Sequence, residues 1–175
     1  MNKALVFLAD GTEEIEAVTV IDTLRRAKWD VTSVGLWRGS IKASRGVVLT
    51  PDEVLDSCRV DGFDVLVIPG GRRGVDALCA DERVLEAVRR HVEAGKLTAA
   101  LCAGPLVLQK AGILRGRTVT SHPSVAREIS AARHVDQRVV LDGNILTSQG
   151  PGTSLDFALA IVAEVEGATR ADALA

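Results

Sequence analysis

Three short strand-like runs stop abruptly at glycine-bearing turns, and between them lie segments with helical spacing. Residues 3–8 read KALVFL and end at Asp10-Gly11. Residues 64–68 read DVLVI and end at Pro69-Gly70-Gly71. Residues 98–101 read TAAL and run straight into Cys102-Ala103-Gly104-Pro105. A β-branched run uninterrupted by polar residues reads as a strand buried on both faces, which is the signature of a parallel sheet. Strands alternating with helical segments predict an α/β fold, with a mainly parallel sheet and helices on both faces.

The segments between fit this plan. Thr12 is placed to cap a first helix, Glu13 and Glu14 suit its positive end, and Ala17, Val18, Ile21 and Leu24 follow at helical spacing. A second strand is expected near 30–36, and a small strand pair at 40–50 with Arg45-Gly46 as its turn. Residues 82–94 read as an amphipathic helix closed by Gly95. A helix at 105–111 and a strand at 117–120 follow, the latter ending at Ser121-His122-Pro123. A hairpin is expected around Asp142-Gly143. A last helix starts at Gly152-Thr153-Ser154 and runs to about Glu166, and the alanine-rich tail 168–175 is expected to fray.

Composition narrows the function classes. The 21 basic and 23 acidic side chains leave a net charge of -2, so no basic excess points to nucleic acid. Aromatic residues make up 3% of the chain and tyrosine is absent, which argues against base-stacking platforms. No apolar run approaches the roughly 18 residues that span a bilayer. Asp10, Glu13 and Glu14 interrupt the N-terminal apolar run where a signal peptide would continue. Cys58, Cys79 and Cys102 are odd in number and form no CxxC pair, which argues against a disulfide framework or a zinc site and for a reducing, cytoplasmic setting. There is no GxxxxGK[ST], and no GxGxxG after the first strand, so the glycines do not make a phosphate loop.

In sheets of this kind ligands sit beyond the carboxyl ends of the strands. Cys102 occupies such a position, between a buried strand and a Gly-Pro helix start. A strand-to-helix turn exposes its central side chain, as a nucleophile elbow does for serine. A helix N-terminus favours thiolate over thiol there, and the amides of Ala103 and Gly71 are candidates to hold an oxyanion. The same position also suits a small buried core cysteine. His122 follows another strand end, where it acts either as a base or as a loop cap. Among Glu13, Glu14 and Glu16, helical periodicity does not decide which faces inward. A carboxyl buried beside Cys102 would have its pKa raised and would serve as a general acid.

The chain resembles the ThiJ/PfpI superfamily, and within it the DJ-one branch of parkinsonism-associated protein deglycases. The resemblance runs from Lys3 to about Gly167. It is carried by LADGTEEIEAVTVIDTLRRA at 8–27, SRGVVLTPD at 44–52, DVLVIPGG at 64–71, AALCAGPLVL at 99–108, VTSHP at 119–123 and DGNILTSQGPGTSLDFALAIV at 142–162. It implies one domain over 1–175, of the class I glutamine amidotransferase-like type, with a flavodoxin-like three-layer sandwich that forms a homodimer. It implies that Cys102 is the reactive, easily oxidised cysteine, with Glu16 beside it as a protonated hydrogen-bond donor. It puts the Gly71 and Ala103 amides at the anion site, His122 near the pocket, and Arg45 and Arg26 around the pocket entrance near the dimer contact.

The implied activity is cofactor-independent glyoxalase or deglycase chemistry on methylglyoxal or related small dicarbonyls, with no metal. Cys102 adds to the aldehyde, and Glu16 moves protons between the adjacent carbons. A redox-sensing stress protein whose Cys102 is oxidised to sulfinate uses the same residues, and a holdase-type chaperone is a third reading. The protease-like branch of the superfamily has histidine after the nucleophile. Here that residue is Ala103, which lowers the peptidase reading. The chain ends soon after Gly167, without the further C-terminal helix that in longer members partly covers the pocket, which bears on pocket access.

Overall fold

A computed structural model describes residues 1–175. The strands are β1 (Lys3–Leu8), β2 (Asp30–Gly35), β3 (Ile41–Lys42), β4 (Val48–Leu49), β5 (Glu53–Val54), β6 (Val65–Ile68), β7 (Leu97–Leu101), β8 (Thr118–Val119), β9 (Arg133–His134), β10 (Val139–Asp142) and β11 (Ile145–Ser148). The helices are α1 (Glu14–Arg26), α2 (Arg72–Ala80), α3 (Glu82–Glu93), α4 (Pro105–Lys110), α5 (Ser154–Glu166) and α6 (Ala168–Asp172). Seven strands form the central sheet in the order β10-β11-β7-β6-β1-β2-β5, parallel except for β10. The expected α/β sandwich is thus the observed one.

The alternation of side chains along each strand builds the three layers. On β1, Leu5 and Phe7 join a cluster of 26 buried residues that α2, α3 and α4 cover. Ala4, Val6 and Leu8 point the other way, into a cluster of 21 residues under α1 and α5. β6 divides in the same way, Leu66 and Ile68 to one side and Val65 and Val67 to the other. Strands buried on both faces have no solvated side to spend on polar residues, which explains the apolar runs. β2 leaves β1 in one direction across the sheet and β6 in the other, so the order reverses between β1 and β6. That reversal opens a crevice at the strand ends.

Several local expectations are corrected. Thr12 does not cap α1. Its hydroxyl accepts from the Ala9 amide at 3.0 Å inside the turn after β1, and Glu13 stands at the helix start without a side-chain cap. Helix α2 is unanticipated, because Gly74 interrupts its pattern. A side chain at Gly74 would come within 2.7 Å of the Thr12 amide, so the glycine serves close packing rather than a turn. The strand near 117–120 is only Thr118–Val119, and it pairs with β9 outside the main sheet. The tail does not simply fray: α6 forms, Ala171 is buried, and Arg170 donates to the Ala27 carbonyl at 3.0 Å. This helix lies against α5, and none of its residues lines the cavity described next. No helix is long and apolar enough to cross a membrane.

Candidate functional site

The turn after β7 forces Cys102 into the left-handed region, at φ 60°. Its amide donates to the Ser148 carbonyl and its carbonyl accepts from the His122 amide, each at 3.0 Å. The elbow is therefore clamped from both sides and holds a half-buried Cys102 at the strand end. Gly104 lets α4 start immediately, since a side chain there would come within 2.5 Å of the Ile68 carbonyl oxygen.

The loop after β6 supplies the other wall. Gly71 has φ 88°, which glycine adopts without strain, and its amide and that of Ala103 both act to favour the Cys102 thiolate. Gly70 is tied to α1 twice: its carbonyl accepts from the Glu13 amide at 3.0 Å, and its amide donates to Glu16 Oε2 at 2.6 Å. A side chain at Gly70 would come within 2.8 Å of the Cys102 sulfur and 2.7 Å of Glu16 Oε2. The sulfur and the carboxyl thus flank the same bare backbone.

The three glutamates that periodicity left undivided have separate places. Glu14 braces the 44–47 loop, accepting from the Arg45 amide at 2.8 Å and from the Ser44 hydroxyl. Glu16 is fully buried beside Cys102, and its Oε1 has no hydrogen-bond partner. Glu13 lines the cavity that opens over Cys102.

Burial raises the Glu16 pKa from 4.5 to about 7, and the charge of Glu13 adds to this. The Gly70 amide and Cys102 oppose it only in part. Burial also pushes the Cys102 thiol up to about 12, with the charge and hydrogen bond of Glu16 as further causes, against the Gly71 and Ala103 amides. Burial here outweighs the pull of the helix start toward thiolate. The two groups are coupled: a charged Glu16 helps to raise the thiol, and protonating Glu16 removes that part of the shift. An orphaned buried oxygen on Glu16 favours the neutral acid, because an unsolvated carboxylate costs more than a carboxylic acid.

The cavity has a volume of about 440 Å³. Gly71, Cys102, Ala103, His122 and Arg45 all line it, as do Glu13, Ser44, Arg72, Ser124, Val125 and Pro151. His122 accepts from the Ser124 amide through Nδ1 at 3.2 Å and caps the turn at Pro123–Glu128. It is thus a loop cap and a cavity residue together. Arg26 is not brought to the cavity. It pairs with Asp22 one turn back on α1, at 2.6 Å, with its side chain 70% exposed. Sequence reasoning missed Arg72, and it named Glu13 only as one of three undivided carboxyls. Arg72 opens α2, the helix hidden from the pattern, and pairs with Asp76 and Glu128. Cys58, Cys79 and Cys102 are all unpaired, and no group of three His, Cys, Asp or Glu side chains is arranged to hold a metal ion.

Comparison with known proteins places this geometry. The model of the DJ-1/PfpI family matches residues 2–164. The chain is 41% identical over 165 residues to Protein DJ-1 homolog B of Arabidopsis thaliana, covering 93% of this chain but only 38% of that longer protein. It is 34% identical over 176 residues to the Glutathione-independent glyoxalase DJR-1.2 of Caenorhabditis elegans, covering 99% of this chain and 94% of that one. The crystal structure of Drosophila melanogaster DJ-1beta superposes with a TM-score of 0.95 at 41% identity, over 99% of this chain and 95% of that one. A family model that spans the sheet, the elbow and the cavity walls leaves one assignment: the chain belongs to the DJ-1/PfpI family.

Proposed function

We propose that this chain is a single-domain, cofactor-independent glyoxalase acting on methylglyoxal or a related small dicarbonyl. The observation that carries the reading is the pairing of Cys102 with the buried acid Glu16, under two amides and at the floor of an open cavity. The name of the Caenorhabditis relative supports the same chemistry.

The Cys102 thiolate adds to the aldehyde carbon and forms a hemithioacetal. The Gly71 and Ala103 amides steady the alkoxide, and Glu16, which takes the thiol proton as the sulfur attacks, passes that proton to the alkoxide. The hydrogen on that carbon then moves to the neighbouring carbon, giving a lactate thioester. Water releases lactate and regenerates the thiolate. His122 and Arg45 shape the cavity wall and its mouth. The test is lactate formation from methylglyoxal without glutathione, by the wild type and by Cys102→Ala and Glu16→Gln. Turnover lost in both variants supports the reading. A wild type that makes no lactate above the Cys102→Ala background refutes it.

Oxidation of Cys102 to the sulfinate is a second reading, favoured by the same neighbours. A protonated Glu16 and two amides are suited to hydrogen-bond sulfinate oxygens. Selective sulfinate formation in mild peroxide with negligible turnover would favour it, read by mass spectrometry. We also propose a homodimer in a reducing compartment. Ile15 and Val18 on α1 and Val47 and Val48 at β4 are exposed apolar side chains. Glu14 joins the two segments by accepting from the Val47 amide, so a second copy has one apolar patch to cover.

A further inference from the structure

Resting on the glyoxalase reading, we propose that the substrate is longer than methylglyoxal: a 2-oxoaldehyde with a neutral, hydroxylated tail that lies in a polar recess beside the cavity. The cavity over Cys102 has a volume of about 440 Å³. Methylglyoxal has five heavy atoms and fills no more than about 150 Å³, at about 30 Å³ for each water-sized group. Cavities of about 300–1,000 Å³ hold ligands of drug size, so the site has room for several more atoms. A second recess of about 370 Å³ adjoins it, and His122 and Pro151 line both. The His122 amide donates to the Cys102 carbonyl at 3.0 Å, so the shared wall begins at the elbow itself.

The chemistry of the recess selects the tail. Asp136 and Arg138, from the segment between β9 and β10, line it with Gln149, which follows β11, and the turn at 150–153. Apart from two prolines it has no apolar side chain. Arg138 donates to Asp156 Oδ2 at 2.8 Å through Nε and to the Gly152 carbonyl at 2.9 Å through Nη2. Its charge is matched by that carboxylate, so an anionic tail finds no uncompensated cation. Gln149 Nε2 donates to Asp136 Oδ1 at 2.7 Å. This bond ties the two side chains together and leaves one oxygen on each without a protein donor. Both oxygens can only accept, so a ligand that satisfies them must bring donors, and a hydroxyl does so without charge. Asp136 is exposed, so an ion pair with a cationic tail would add little.

The reaction is that of the smaller substrate. Cys102 takes the aldehyde carbon, and the net change adds one water. The aldehyde carbon is oxidised to a carboxylate and the neighbouring carbonyl is reduced to a carbinol, so no outside oxidant or reductant is needed. The product is a 2-hydroxy acid that keeps the tail. Gln149 and Asp136 meet only the tail, so they determine specificity and take no part in the chemical step. A contact made equally in the ground state and the transition state acts on KM rather than on kcat.

The test measures acid formation from methylglyoxal, from 2-oxohexanal, and from the six-carbon 2-oxoaldehyde hydroxylated on its last three carbons, by the wild type and by Gln149→Leu. Leucine keeps most of the volume but removes the acceptor and the bond to Asp136. On the hydroxylated substrate kcat/KM of the variant is expected to fall about threefold to tenfold, the worth of one or two hydrogen bonds, and mainly through KM. On the other two substrates it is expected to change little. Each variant-to-wild-type ratio uses one substrate, so ring closure of the hydroxylated aldehyde cancels. No loss, or equal losses on all three substrates, overturns the assignment and leaves the glyoxalase reading standing. A wild type that prefers 2-oxohexanal to the hydroxylated compound, per open-chain aldehyde, does the same. A wild type that forms acid from none of them overturns both together.

Discussion

Glu16→Gln offers a direct measure of the buried carboxyl, because its effect on stability has a definite sign and pH window. The Glu16 pKa rises from 4.5 to about 7 in the folded chain. Between those values the folded state holds a proton that the unfolded state has released, so stability falls as pH rises. At about 1.36 kcal/mol per pKa unit the contribution at stake is about 3 kcal/mol; it is fully present below pH 4.5 and lost by about pH 7 and above. Glu16 is fully buried, so solvent screening takes little from this figure. Glutamine is isosteric and cannot ionise, so the variant lacks this slope. The assay is urea unfolding from pH 4.5 to 8, followed by fluorescence of the buried Trp29. The wild-type-minus-variant difference cancels the titrating groups that do not interact with Glu16. It is expected to move against the wild type by about 3 kcal/mol from pH 4.5 to 8. Parallel curves, or a difference that moves the other way, would refute the claim that burial keeps this acid protonated.

Other outcomes are open to the same kind of test. His91 is buried, and burial followed by the charge of Lys96 lowers its pKa from 6.5 to about 4. The wild type is therefore expected to lose about 3 kcal/mol as pH falls from 6.5 toward 4, and His91→Gln to lack that loss in acid urea titrations. Gly70→Ala would bring a methyl within 2.5 Å of Cys102 Cβ and 2.7 Å of Glu16 Oε2. It is expected to cost about 1–3 kcal/mol and to slow iodoacetamide labelling of Cys102 sharply; labelling at the wild-type rate would contradict the shared packing. Val18→Lys places a charge in the exposed apolar patch on α1, and sedimentation is expected to show a shift from dimer to monomer, while an unchanged mass would remove that patch from the interface.

How much of this could be read from the residues depends on whether the signal is local. The runs KALVFL and VLVI are strands because both their faces are covered, and that leaves a mark on every residue. The elbow at Cys102 was legible because a strand, a thiol and a Gly-Pro helix start are contiguous. Helix α2 was not, because Gly74 is there to let Thr12 approach, a contact made across 62 positions of the chain. The roles of Glu13, Glu14 and Glu16 were equally hidden: they lie within one turn of the same helix, and only Ser44, Gly70 and Cys102, from three other loops, tell them apart. Arg26 failed for the converse reason. Its motif is matched, but its neighbour along α1 is Asp22, and that pair forms without reference to the cavity.

The left-handed backbone at Cys102, with φ 60°, has a consequence for how such a chain changes over time. A side chain in that region costs about 1–2 kcal/mol that glycine does not incur. Selection for a robust fold and selection for a thiol therefore pull in opposite directions at this one codon. A lineage that ceases to need the sulfur gains stability by drifting to glycine, and loses little by drifting to asparagine, which tolerates the same conformation. The residue at this position thus records whether a descendant still uses its sulfur, independently of how far the rest of the sequence has diverged.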